Sequence, residues 1–229
     1  MARTEAASVR SCRRTSACLL RMALIAVALV LAGCTTGSRA TADSFRLLLH
    51  KPVEVSPDSV AANRFPQVLV ETRDLTAVAV LGYVDGGRQQ WYAGTHAVIE
   101  LDGNGVLLGS SGLGRQLQTR IIGASPFDRL TSLSGPAQLQ RQYDWMSSYQ
   151  LGVVVTGTLT PGATEEVRIL GRTRTLQRFV EHLQGGGMDA QNIYWADPAT
   201  GFIWKSRQHL APGYVVELTQ LKPYRAPKG

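Results

Sequence analysis

Asn192-Ile193-Tyr194-Trp195-Ala196-Asp197-Pro198-Ala199-Thr200-Gly201-Phe202-Ile203-Trp204-Lys205-Ser206-Arg207-Gln208 reads as two alternating runs joined by a turn. Aromatic residues flank the turn on both sides, which favours strands over helix. Proline presets φ in such a turn, and glycine accepts a left-handed conformation that a β-carbon disfavours. Period two puts Tyr194 and Ala196 on one face and Trp195 on the other, and it separates Ile203 from Phe202 and Trp204. One ring set is expected in a core and the other on a surface.

The same period runs outward from this hairpin. Strands are expected at 138–146, 149–159, 165–171, 173–183, 190–196, 202–209 and 213–221. Breaks fall at Pro161-Gly162, Gly171-Arg172, Gly185-Gly186-Gly187, Asp197-Pro198 and Pro212-Gly213. Towards the N-terminus, Val68, Val70 and Thr72 alternate with other residues, and Leu75 to Val84 ends at the hairpin turn Asp85-Gly86-Gly87. Arg88 to Ala93 is its return strand, and His96–Leu101 and Val106–Leu108 flank the turn Asp102-Gly103-Asn104-Gly105. Ser110 to Pro136 is less regular, with one helical turn expected around Gln116 to Arg120. Ser56-Pro57-Asp58 caps a brief helix to about Asn63, and Asp43-Ser44 precedes a second short helix at Phe45 to Leu49. About ten strands without helical crossovers predict a mainly β fold, an antiparallel meander forming a half barrel, barrel or sandwich, with one or two short N-terminal helices.

Templates for catalysis find no match. His50, His96, His182 and His209 are isolated, without a His-Glu-x-x-His pair. In Gly109-Ser110-Ser111-Gly112 the serine is not centred as in a hydrolase elbow. Asp102-Gly103-Asn104-Gly105 starts like a calcium loop but continues with Val106 and Leu107 where ligand and glycine belong. Asp144, Asp197 and Glu217 are the acids that a glycan-cleaving enzyme would use, and each has a simpler role at a strand or turn. No cofactor, no metal and no enzymatic activity are expected. The rings say more. Trp91, Tyr92, Trp145, Tyr149, Tyr194, Trp195, Phe202 and Trp204 all sit in or beside strands, where rings serve a core or a contact surface. Trp91, Tyr194, Trp195 and Trp204 are the candidate contacts for glycan or partner.

Met22 to Ala32 is an uncharged apolar run of eleven residues followed by Gly33-Cys34. That is too short to cross a hydrocarbon core of roughly 30 Å as a helix, and suits the apolar part of a signal peptide. Arg10, Arg13, Arg14 and Arg21 supply its positive flank. Leu31-Ala32-Gly33-Cys34 resembles the lipobox of bacterial lipoproteins, in which the cysteine thiol receives a diacylglycerol and the amine freed by cleavage is acylated. Residues 1–33 are therefore expected to be a lipoprotein signal peptide, 34–43 a lipidated tether, and 44–229 a single β domain. All three cysteines lie at 12, 18 and 34, so the folded part has no disulfide framework, thiol nucleophile or cysteine zinc site. The leader holds five arginines and one glutamate, so its removal lowers the formal charge from +7 to +3. The remaining cations are scattered, and no nucleic-acid footprint is present.

The quoted hairpin resembles the capsule-polysaccharide lipoprotein family labelled YjbF/GfcB. Gly82-Tyr83-Val84-Asp85-Gly86 with Gln90-Trp91, Ile169-Leu170-Gly171-Arg172 and Leu221-Lys222-Pro223 agree with it in order, so the likeness covers roughly positions 45–223. The resemblance implies an outer-membrane lipoprotein on the periplasmic face, held by acyl chains on Cys34. It implies a non-catalytic accessory or assembly role in capsule or exopolysaccharide production and export, beside export proteins and polysaccharide. Thr rather than Asp at position 35 agrees with outer-membrane sorting. The alternative is a lipid or lipoprotein carrier or receptor with an apolar concave sheet.

Overall fold

A computed structural model describes residues 55–225. The leader, Cys34, the tether and the helix expected at Phe45 to Leu49 lie outside the described residues. Helix α1 (Pro57–Ala62) starts where the sequence puts it. Ser56 Oγ accepts from the Ser59 N–H at 3.1 Å, Ser59 Oγ accepts from the Ser56 N–H at 3.2 Å, and proline stands in the first turn.

Twelve strands follow: β1 (Gln67–Thr72), β2 (Thr76–Asp85), β3 (Arg88–Ala93), β4 (Ala97–Leu101), β5 (Leu107–Ser111), β6 (Leu117–Ile122), β7 (Ala137–Trp145), β8 (Gln150–Ile169), β9 (Arg172–Gly185), β10 (Met188–Ala196), β11 (Ile203–Ala211) and β12 (Tyr214–Lys222). Each pairs antiparallel with the next, and β1 also pairs with β12, Val70 facing Leu218. Of the three expected closures, the barrel is the one formed. Closure leaves no edge in the barrel wall, and the β8–β9 arm, beyond Leu159 and Gln177, runs past its neighbouring strands.

Two expectations along the chain are corrected. The turn expected at Gln116 to Arg120 is not helical: β6 opens at Leu117 and pairs Leu117 with Trp145 and Thr119 with Tyr143. Leu117 and Thr119 both point inward, so tertiary pairing on β7 decides the conformation of a stretch with weak local preference. Pro161-Gly162 does not end a strand either. β8 runs through it, Pro161 facing Phe179 and Thr164 facing Gln177, with a bulge between. A bulge leaves residues outside the ladder, so a proline without an N–H is accommodated there.

Inward side chains fill the barrel in two clusters. One holds Trp91, Ile99, Leu117, Tyr143, Trp145, Leu183, Tyr214 and Leu218 among others. The other gathers Val106, Leu139, Leu159, Phe179, Tyr194 and Ile203 with Phe127 and Leu130. Phe127 and Leu130 come from the 3-10 segment Pro126–Ser132 between β6 and β7, which plugs that end of the barrel. Its Phe127 ring meets Tyr194 edge-on at 4.8 Å, and Asp128 is held by Asn104 of the β4–β5 turn at 3.0 Å. The interior is thus occupied by protein, and the acyl-chain reading loses the concave apolar face on which it rests.

Candidate functional site

Strand alternation in β10 and β11 sends side chains to two environments. Inward, Asn192, Tyr194, Ser206 and Gln208 are buried. They meet Arg141 of β7 and Glu181 of β9, which lie along their strands between Leu139 and Tyr143, and between Phe179 and Leu183, where the two clusters join. Arg141 Nε donates to Glu181 Oε1 at 2.6 Å and an Nη2 hydrogen reaches Oε2 at 3.0 Å, a bidentate pair. The Tyr194 hydroxyl and Asn192 Nδ2 donate to Oε2 at 2.7 and 2.9 Å. Gln208 extends the network, accepting from the Leu107 N–H at 3.0 Å and donating to Ser206 Oγ at 2.9 Å.

Electrostatics follow from this enclosure. Burial works against the charge of Arg141, but the facing Glu181 carboxylate outweighs it and holds the guanidinium protonated, its pKa above the usual arginine value. Burial first, then the Glu181 charge, raises Tyr194 well above an ordinary phenol. Burial likewise raises Tyr143. A β-carbon at Gly157 would stand 2.8 Å from Glu181 Oε1 and 3.0 Å from Leu139 Cδ2, so only glycine leaves room for the carboxylate. The network is closed from solvent and holds structure. No signal of single residues predicted it, because Arg141, Glu181 and Asn192 stand on three strands.

Outward, Trp195 donates from Nε1 to Glu165 Oε2 at 2.9 Å, with Lys205 Nζ 5.7 Å above its ring. Trp204 stands edge-on to Phe202 at 5.3 Å, and the Arg174 guanidinium lies over its ring at 3.5 Å. Arg174 comes from the far part of β9, beyond the reach of β10, whose last paired residue is Ala196 opposite Gln177. The extended β8–β9 arm therefore reaches the outside of β11. Beside Trp204 is an open groove of about 360 Å³ lined by Asp197, Thr200, Phe202, Pro223, Tyr224 and Arg225.

Four contact candidates now divide. Trp91 and Tyr194 are fully buried and belong to the core, so neither can touch a partner. Trp195 and Trp204 face outward on neighbouring strands. The watched acids do not converge: Asp144 accepts from the Gly152 N–H, Asp197 from the N–H groups of Ala199 and Thr200, and Glu217 pairs with Lys205. Among the described residues, no group of His, Cys, Asp and Glu could hold a metal ion, and no helix is long and apolar enough to cross a membrane.

A family model described as group 4 capsule polysaccharide lipoprotein gfcB, YjbF matches residues 22–221. The chain belongs to this family. Over 204 residues it is 26% identical to the uncharacterized lipoprotein GfcB of Escherichia coli K12, covering 86% of this chain and 95% of that one. Its fold is similar to the crystal structure of the hypothetical lipoprotein YmcC from Escherichia coli K12, with a TM-score of 0.67 at 24% identity. That likeness covers 80% of this chain and 96% of the other.

Proposed function

We propose that this protein is an outer-membrane lipoprotein, anchored through Cys34 with its barrel on the periplasmic side, that acts as a non-catalytic accessory factor in capsule or exopolysaccharide production and export. The family match over residues 22–221 carries the reading, because it spans both the leader and the barrel. The apolar run ending in Leu31-Ala32-Gly33-Cys34 supports the anchor. Two acyl signals on one cysteine give stable attachment, each buried CH₂ contributing about 0.8 kcal/mol. The outward ring pair Trp195 and Trp204, flanked by charged groups, is the surface assigned to polysaccharide or export proteins.

The test compares deletion of the gene with complementation by wild type and by Cys34→Ser. Deletion should lower surface polysaccharide, and wild type should restore it while fractionating with the outer membrane. Cys34→Ser should accumulate as precursor, take up no labelled fatty acid and fail to restore. Unchanged polysaccharide on deletion would remove the accessory role, and recovery of the wild type with inner-membrane markers would remove the sorting.

A further inference from the structure

The groove beside Trp204 does not end at that ring. A second groove of about 470 Å³ is lined by Val60 and Ala61 of α1, by Ile169, Arg172 and Arg174 of the β8–β9 arm, and by Leu221 and Lys222. Lys222 and Pro223 are consecutive, one in each groove, and Arg174 of the second groove lies on Trp204 of the first. The two form one path along the outside of the barrel. Among the described residues four cations line it, Arg172, Arg174, Arg225 and Lys222, the last also donating to the Asn63 carbonyl at 2.6 Å. The one carboxylate among the described lining residues, Asp197, already accepts from two turn N–H groups.

At the junction, Arg174 Cζ lies 3.5 Å from the centre of the Trp204 ring, a cation–π contact that holds the guanidinium in place. A guanidinium held by its face keeps its in-plane N–H edge for a planar anion such as a carboxylate. The Nε of Arg174 is enclosed by the protein and makes no hydrogen bond among the described residues, so contact with an anion falls to the terminal nitrogens of the guanidinium. Beside it, Phe202, Trp204 and Tyr224 offer rings whose negative faces suit the C–H face of a pyranose, and Thr200 adds a hydroxyl.

We propose that this path binds an acidic saccharide chain, a sugar carboxylate meeting Arg174 and a neighbouring pyranose packing on the rings of Phe202 and Trp204. It rests on the accessory role in polysaccharide production and names the class of polymer that the outer face takes. Two adjoining grooves of about 470 and 360 Å³ give room for more than one sugar unit, and cations in both face successive acidic units. The site is non-catalytic, and bound chain leaves unchanged.

The full-length lipidated protein in detergent is titrated with tetragalacturonate, with a sialic acid tetramer, and with carboxyl-reduced tetragalacturonate as the neutral match. Calorimetry and tryptophan fluorescence report binding. At least one acidic tetramer should bind about tenfold or more tighter than the neutral one, with affinity falling as salt rises. Arg174→Gln should weaken acidic binding about tenfold, the loss of one charge-assisted bond, and leave the neutral tetramer unaffected. Trp204→Phe should keep binding that Trp204→Ala loses, with circular dichroism confirming that both fold. Binding by neither acidic tetramer, equal binding of acidic and neutral chains, or wild-type affinity in Arg174→Gln overturns the proposal. In cells the two readings separate: normal export by Arg174→Gln beside failed export on deletion removes the site and keeps the accessory role. Normal export on deletion removes the accessory role and leaves the binding result standing.

Discussion

Glu181 has no exposure, and both oxygens of its carboxylate accept, Oε1 from Arg141 and Oε2 from Arg141, Asn192 and Tyr194. Two charges in the middle of a core are stable only as a hydrogen-bonded pair, since an unmatched one keeps its desolvation penalty. Glu181→Gln, which strands Arg141, should lower stability by about 3–5 kcal/mol in urea unfolding. Arg141→Met combined with Glu181→Leu should recover much of that loss, because neither charge is then buried alone. Equal loss in the single and the double variant would show that packing, not charge, holds this place. The phenols nearby set an alkaline limit. Burial raises Tyr143 and Tyr194 above 10.0 in the folded chain. As pH passes about 10 the unfolded chain sheds these protons and the folded chain keeps them. Stability should therefore be full below that pH and fall above it, at up to about 1.4 kcal/mol per pH unit for each phenol. Urea midpoints measured from neutral to alkaline pH check this. Tyr143→Phe should make the decline shallower, and a flat profile for wild type would contradict it.

β10 shows how one strand serves two purposes. Its inward residues Asn192, Tyr194 and Ala196 are buried, while Trp195 between them reaches Glu165 outside. Tyr194→Ala removes a ring from the core and leaves Glu181 short of a donor, so it should cost about 3–5 kcal/mol and lower the protein's abundance. Trp195→Ala loses an exposed hydrogen bond and partial packing, and should cost about 1 kcal/mol or less. Thermal melting of the two variants checks the pair, and similar melting temperatures would mean that alternation does not sort this strand. The turn after β10 is set locally. Asp197 caps the N–H groups of Ala199 and Thr200, and Gly201 holds φ +74°, so the aromatic hairpin keeps its register wherever the strands pack.

Closure is a property of the whole molecule. β1 completes the barrel only by meeting β12, from the other end of the described chain. Truncation after Pro212 would remove β12 and leave β11 and β1 with unpaired edges, one of them next to apolar Val68 and Val70. The shortened chain should be recovered as aggregate rather than monomer in size-exclusion chromatography, since an open apolar sheet edge templates pairing. A soluble, folded truncation would show that closure is dispensable. Refolding of the full chain should be slow for its size, because the closing pair brings together residues far apart in sequence.

Alternation and turn chemistry alone determined the mainly antiparallel β class, the helix capped by Ser56, the turns at Asp85, Asp102 and Asp197, and the division of β10 into two faces. These depend on neighbouring residues, whose period and φ preferences act within a few positions. Residues 192–208 also carried the family likeness that the match over 22–221 bears out. Tertiary structure decided the rest. It chose the barrel over half barrel and sandwich through the β1–β12 pairing. It turned Leu117 to Arg120 into a strand because β7 lay ready to pair it, and it carried β8 through Pro161 on an unbroken partner. It sent Trp91 inward and left Trp204 outside, a choice that alternation leaves symmetric until a core exists on one side. It also joined Arg141 to Glu181 and laid Arg174 on Trp204. Such pairs depend on which strands become neighbours across the barrel and how far the β8–β9 arm reaches, and no spacing along one chain encodes a distance between strands that closure alone brings together.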